Sequence, residues 1–333
     1  SERAALKAGQ TSLLTFTFSE DPGNFSNSSV QVDNGFLGPM TGTGLTRSAL
    51  FTPTDNVASG AANIRIAASG FPDQAGNAGI VQSVPSVSID TRAPTLAIAA
   101  DKTALKAGET ATLTFTFSED PGSSFTAGDV SVQGGTLGAL SGTGTTRSAV
   151  FTPDTNYTGP ASVSVAGGSY EDLAGNAGGF AAVSPLAIDT RAPTLQITSS
   201  KAALKAGETA TITFAFSEDP GASFTSSDIA VSGGVLGALT GTGTMRSAIF
   251  TPGENVQGGN ATIQVVAGSY TDAAGNTGGA GAMSPVAVDT RLPVLTGRAV
   301  SADGLTLTLS YSETLKTGPL TPGLQGLAVA QRQ

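Results

Sequence analysis

Acidic side chains return at fixed places along this chain, and they are the residues best placed to do chemistry. Asp90 precedes the pair Glu119-Asp120, and Asp172 follows with Glu171 before it and Asn176 after it. The set recurs as Asp189, Glu218, Asp219 and Asp272, and part of it again as Asp289 and Glu313. An earlier, incomplete copy holds Glu20, Asp21 and Asp73. Carboxylates that converge without lysine clusters beside them repel one another, and a hard cation relieves that repulsion. Calcium takes six to eight oxygens in tolerant geometry, whereas magnesium demands a tighter octahedron and keeps its waters. Calcium is therefore the expected cofactor and magnesium the second choice. Two other readings stand beside it. Arg92, Arg191 and Arg291 each lie two residues beyond an Asp of the set and could pair with the acids directly. The acids could also be solvated caps of turns.

Histidine and cysteine are both absent, which removes the commonest general base, the commonest zinc ligand and all thiolate chemistry. Pairs such as Glu119 and Asp172 could in principle act as acid and base in glycoside hydrolysis. Three tandem copies of one catalytic site would be unusual, however, and the expectation is that the protein is not an enzyme. With 16 basic and 25 acidic residues the net charge is −9, and no basic cluster exists to displace counterions from nucleic acid. No stretch approaches the roughly 18 apolar residues of a membrane span. Neither nucleic acid nor direct membrane insertion is expected, and any export signal lies outside this segment.

What must position the acids is a long repeat. Asp-Thr-Arg begins at Asp90, Asp189 and Asp289, Leu-Lys-Ala-Gly at Leu6, Leu105 and Leu204, and Phe-Ser-Glu-Asp-Pro-Gly at Phe18, Phe117 and Phe216. A period near 100 residues matches an independent domain rather than a solenoid unit. The landmarks divide the chain into residues 1–91, which lack a first strand, complete repeats at 92–190 and 191–290, and a partial fourth repeat at 291–333.

Within the second repeat, Ala111, Leu113, Phe115 and Phe117 alternate with Thr112, Thr114, Thr116 and Ser118, the period of a half-buried strand. Shorter runs follow at 95–99, 129–133, 136–140, 145–151, 162–166 and 181–188, each bounded by turn residues. About seven short strands per 100 residues predict an all-β protein of tandem immunoglobulin-like antiparallel β-sandwiches, without the buried Trp and disulfide of antibody domains. Around Arg147 to Phe151 the phase is ambiguous, because Val150 and Phe151 are both apolar. In a seven-strand sandwich the loops BC, DE and FG share the N-terminal pole. That topology gathers Asp90, Glu119, Asp120 and Asp172 at one junction, and Asp189, Glu218, Asp219 and Asp272 at the next.

The order Asp90-Thr91-Arg92-Ala93-Pro94-Thr95, Phe117-Ser118-Glu119-Asp120 and Tyr170 through Asn176 resembles the tandem bacterial immunoglobulin-like repeats of large surface adhesins, including biofilm-associated and type I-secreted ones. The resemblance covers residues 1 to about 291. It implies a structural extender on the bacterial cell surface that holds an adhesive tip away from the cell, with calcium at domain junctions. The acids named above would be the ligands. A rod of three such domains would span about 100 Å.

A second reading is a self-assembling surface filament or sheath. The first repeat lacks a strand that the C-terminal fragment could supply to another copy by strand addition. The expected partners are thus neighbouring repeats of the same chain or, on the second reading, further copies in a homo-oligomer. Other motifs carry less. Leu292-Pro293-Val294-Leu295-Thr296-Gly297 occupies the linker register, and Lys106 and Asn176 fall on opposite poles, too far apart to crosslink. Tyr170 and Tyr270 are expected in the core, and Arg47, Arg147 and Arg246 as solvated cross-strand partners.

Overall fold

The computed structural model describes residues 1–67, 71–73, 75–80 and 84–315. It divides into two compact units, Ser1–Arg191 and Ala192–Gln333. The first unit holds two β-sandwiches, and the second holds one sandwich followed by a hairpin.

The first sandwich is built from β1 (Ala5–Lys7), β2 (Ser12–Thr17), β3 (Val30–Val32), β4 (Gly35–Leu37), β5 (Thr46–Pro53), β6 (Gly60–Ala62), β7 (Ile64–Ile66) and β8 (Val87–Asp90). The second repeats that order with one strand added at its start. Its elements are β9 (Leu96–Ala100), β10 (Ala104–Lys106), β11 (Ala111–Phe117), β12 (Val130–Gln133), β13 (Gly135–Leu137), β14 (Thr146–Pro153), β15 (Thr158–Val165), β16 (Ala181–Ala182) and β17 (Leu186–Asp189). One sheet runs β13-β14-β11-β9 and the other β10-β17-β15-β12, with β16 against β15. These are the two facing sheets of an immunoglobulin-like sandwich.

Period-two burial explains the strands. In β11 the side chains of Ala111, Leu113, Phe115 and Phe117 point into the core while the threonines between them face outward or are half-buried. Each fully buried Phe contributes about 2–3 kcal/mol. The ambiguous strand resolves on the same principle. Arg147, Ala149, Phe151 and Pro153 of β14 face inward, and Val150 is 46% exposed. Phe115, Phe125, Phe117 and Tyr170 form a chain of ring contacts with centroids 5.5, 4.8 and 5.3 Å apart. Tyr170 and Tyr270 are thus core residues, as expected.

One strand escaped the sequence. After β9 the chain crosses to the other sheet, where β10 pairs in parallel with β17, Lys106 opposite Asp189. Three residues are too few to display a period, and their pairing is with the far end of the repeat. The same strand exists in the first sandwich, where β1 lies parallel to β8 with Lys7 opposite Asp90. There β2 pairs only with β5, in a three-stranded sheet β2-β5-β4, whereas β11 is flanked by both β14 and β9. The first repeat therefore lacks the outer strand among the described residues.

In the second unit, Leu195–Ser199, Ala210–Phe216, Met245–Pro252 and Gly234–Leu236 form one sheet, and Ala203–Lys205, Val286–Asp289, Gly259–Val265 and Ile229–Ser232 the other. Leu295–Val300 and Leu307–Tyr311 then pair as a two-stranded hairpin.

Candidate metal centre

The junction inside the first unit is assembled from three places. Asp90 terminates β8, and the residue after it is anchored by its own hydroxyl. Thr91 Oγ1 donates to the Thr54 carbonyl at 2.7 Å and accepts the Val57 N–H at 3.0 Å, with Thr91 itself buried. The linker then leaves the first sandwich and meets the second. The Thr95 N–H donates to Ser118 Oγ, and the Ser118 N–H returns to the Thr95 carbonyl, so the residue before Glu119 is tied to the linker. The Tyr170 hydroxyl donates to the Pro94 carbonyl at 3.2 Å from within the core.

Asp172 stands on a tight knuckle of the loop between β15 and β16. Its Oδ1 accepts the Asn176 backbone N–H and its Oδ2 the Asn176 Nδ2, both at 2.8 Å. Gly175 adopts φ of 88° at the turn, a conformation that glycine takes without steric cost. Ser124 Oγ donates to the Glu171 carbonyl and accepts its N–H, joining this loop to the one carrying Glu119. Gly178 makes room for the ring of Tyr170, since a Cβ there would lie 2.2 Å from Cζ.

These ties bring Asp90, Glu119 and Asp172 together, each offering a carboxylate oxygen within 4.8 Å of the others. Asp172 is buried and the other two are half-buried. Burial raises the Glu119 carboxyl above its ordinary pKa of 4.5, and the charges of Asp90 and Asp172 push it further; Arg92 acts weakly in the opposite direction. Among the described residues Arg92 forms no ion pair, so no guanidinium is in contact with this group. Three converging carboxylates, one of them uncomfortable as an anion, fit a hard cation whose remaining ligands are water. At Glu313, the counterpart of Glu119, Oε1 is buried with no hydrogen-bond partner among the described residues.

Asp120 and Asp219, expected among the ligands, face elsewhere. Asp120 Oδ1 lies 3.4 Å from Arg147 Nη2 and accepts the Gly122 N–H. Asp219 Oδ1 is 3.2 Å from Arg246 Nη2, and Asp21 is 3.2 Å from Arg47. These arginines are buried rather than solvated. Arg147 also donates to the carbonyls of Gly144 and Gly122, which pins the strand-joining loops to one another. The alternation of β14 places the arginine inward, and an inward guanidinium must find a carboxylate.

Of the second set, Asp189 ends β17 in the first unit, where Thr158 Oγ1 donates to it at 3.1 Å. Glu218 and Asp272 lie in the second unit, Asp272 buried and holding Asn276 through N and Nδ2 at 2.8 Å each. In the first repeat Asp73 makes the same knuckle with Asn77, whose hydrogen bonds lower the Asp73 carboxyl pKa. Sequence reasoning missed Thr91, Thr190 and Thr290, the buried centres of each Asp-Thr-Arg, although their recurrence was a usable signal.

A family model described as bacterial Ig-like domain matches residues 1–89, 90–187 and 189–288. A search of curated protein sequences returns no match. Among solved structures, FdeC, an Escherichia coli adhesin, aligns at 13% identity over 84% of this chain and 93% of its own, with a TM-score of 0.36. Invasin, a bacterial integrin-binding protein, aligns at 13% identity over 91% of this chain and 67% of its own, with a TM-score of 0.35. InvD of Yersinia pseudotuberculosis aligns at 20% identity over 62% of this chain and 60% of its own, with a TM-score of 0.27. The family match therefore carries the assignment.

Proposed function

The chain belongs to the bacterial Ig-like domain family, and from that premise we propose that it is a structural extender segment of an exported bacterial cell-surface adhesin, with no catalytic role. Calcium bound by Asp90, Glu119 and Asp172 strengthens the joint between the first two repeats, and Glu218 and Asp272 carry the same residue types in the third. The observation that carries this reading is the convergence of three carboxylates from two consecutive repeats, without an arginine in contact with them. A cation there offsets both the burial that chiefly raises Glu119 and the repulsion from Asp90 and Asp172 that adds to it. Asp120 and Asp219 belong to ion pairs instead and are left out of the ligand set. The short parallel strand of each repeat and the buried arginine further along it are scaffold, and the partners of each repeat are its neighbours. Among the described residues no helix is long and apolar enough to cross a membrane. Calorimetric titration with calcium, paired with thermal melting in calcium and in chelator, tests the site. Binding and a raised melting midpoint support it; no heat and no shift overturn it.

A further inference from the structure

The joint within the first unit holds a second device that uses no metal. Asn176 is 3% exposed, and every hydrogen-bonding group of its side chain is engaged. Its Oδ1 accepts the backbone N–H of Ala8 at 2.8 Å, from the other sandwich. Its Nδ2 donates to the Asp90 carbonyl at 3.0 Å and to Asp172 Oδ2 at 2.8 Å. One amide thus touches the β1–β2 turn of the first sandwich, the linker, and its own loop. Because a backbone N–H must meet an acceptor, the contact with Ala8 also settles which way the amide points. Beside it, Lys7 Nζ donates to the Gly175 carbonyl at 2.5 Å.

We propose that a metal-independent clasp centred on Asn176 fixes the second sandwich against the first, and that the surface it fits is the Lys7-Ala8-Gly9 turn of the neighbouring repeat. The turn presents its N–H rigidly, since Gln10 N closes it onto the Lys7 carbonyl and Gly9 sits at φ of 72°. Both halves are short backbone-directed motifs, and the sequence carries each of them in every complete repeat. Lys-Ala-Gly returns at Lys106 and Lys205, and the Gly-Asn of the knuckle at Gly275-Asn276. The clasp sets the geometry of the joint, and a cation at the three carboxylates would act on its strength. The two roles therefore fail separately.

Their separation is measurable in the full chain, which has no cysteine of its own. Spin labels at Ala58→Cys and Thr143→Cys, both exposed and one in each sandwich, report the distance between the two. In chelator, the unsubstituted joint gives one narrow distance distribution. Asn176→Ala loses the narrow peak, with or without calcium. A second variant leaves the knuckle's own residues unchanged: Ala8→Pro replaces the N–H that Asn176 accepts with a ring methylene, which cannot donate and presses on Asn176 Oδ1. Ala8 is the second residue of a turn with glycine at positive φ in third place, where proline is favoured. That substitution keeps the turn and also loses the narrow peak. Retention of the peak in Ala8→Pro overturns the clasp. So does its loss in the unsubstituted chain on adding chelator alone, which assigns the geometry to the metal.

Discussion

The carboxylate of Asp120 faces the guanidinium of Arg147 at 3.4 Å, turned away from its sequence neighbour Glu119. Adjacent acids on one loop thus serve different purposes, one holding a buried arginine and the other the junction. Asp120→Ala removes a partner that is 40% exposed and should cost about 0.5–1 kcal/mol, with calcium binding unchanged. Arg147→Met leaves the Gly144 and Gly122 carbonyls without their donor and should cost about 2–3 kcal/mol. Urea unfolding of the two variants checks the ranking.

Glu119→Gln keeps the shape of the side chain and deletes one of three ligand charges. Calcium affinity should fall by at least about tenfold, equivalent to about 1.4 kcal/mol. Without calcium the same variant should melt no lower than the parent, because the anion it removes was opposed by its burial and by Asp90 and Asp172. Calorimetric titration and melting curves supply both readings.

The raised Glu119 carboxyl has a pH signature with a definite sign. A group whose folded pKa exceeds its unfolded value adds stability that is fully present below the unfolded pKa, here 4.5, and is lost as pH rises through the folded one. Asp73, Glu208 and Asp303 have lowered pKa values and act oppositely, adding stability that disappears on acidification. The difference between parent and Glu119→Gln isolates the first effect. In metal-free buffer the parent should lose stability relative to the variant as pH rises from below 4.5 to neutrality, and calcium should reverse that trend.

Gly178→Ala places a methyl group 2.2 Å from Tyr170 Cζ and must displace the ring. A cost of about 1–3 kcal/mol is expected from overpacking. Tyr170→Phe loses only the hydrogen bond to the Pro94 carbonyl, about 1 kcal/mol. Thermal melting of the two variants tests whether the ring or its hydroxyl matters more.

Thr91→Val is nearly isosteric but leaves the Thr54 carbonyl and Val57 N–H unpaired by side chain, at about 1–2 kcal/mol. Amide exchange at Val57 should accelerate while exchange in the core strand β5 stays slow. Uniform acceleration would instead mark global destabilisation.

Much of this protein is legible in one dimension because its code is local. Alternation in Ala111–Phe117 names the buried face, glycine and proline mark the turns, and the recurrence of Asp-Thr-Arg marks the repeat. Even the meeting of Asp90, Glu119 and Asp172 follows from strand order alone, since alternate loops of a sandwich share a pole. What the order of residues left open were choices between equal local possibilities. Glu119 and Asp120 are adjacent acids, and only the inward face of β14 decides that Arg147 takes the second. Val150 and Phe151 are both apolar, and only the packed core decides which is buried. The strand Ala104–Lys106 is too short to show a pattern, and its pairing with Asp189 spans nearly the whole repeat. Asn176 reads as a turn residue until Ala8 is set against it by the fold. Short-range pattern specifies which residues face inward; which distant partner each one meets is decided by tertiary packing, where burial forces every polar group to be answered.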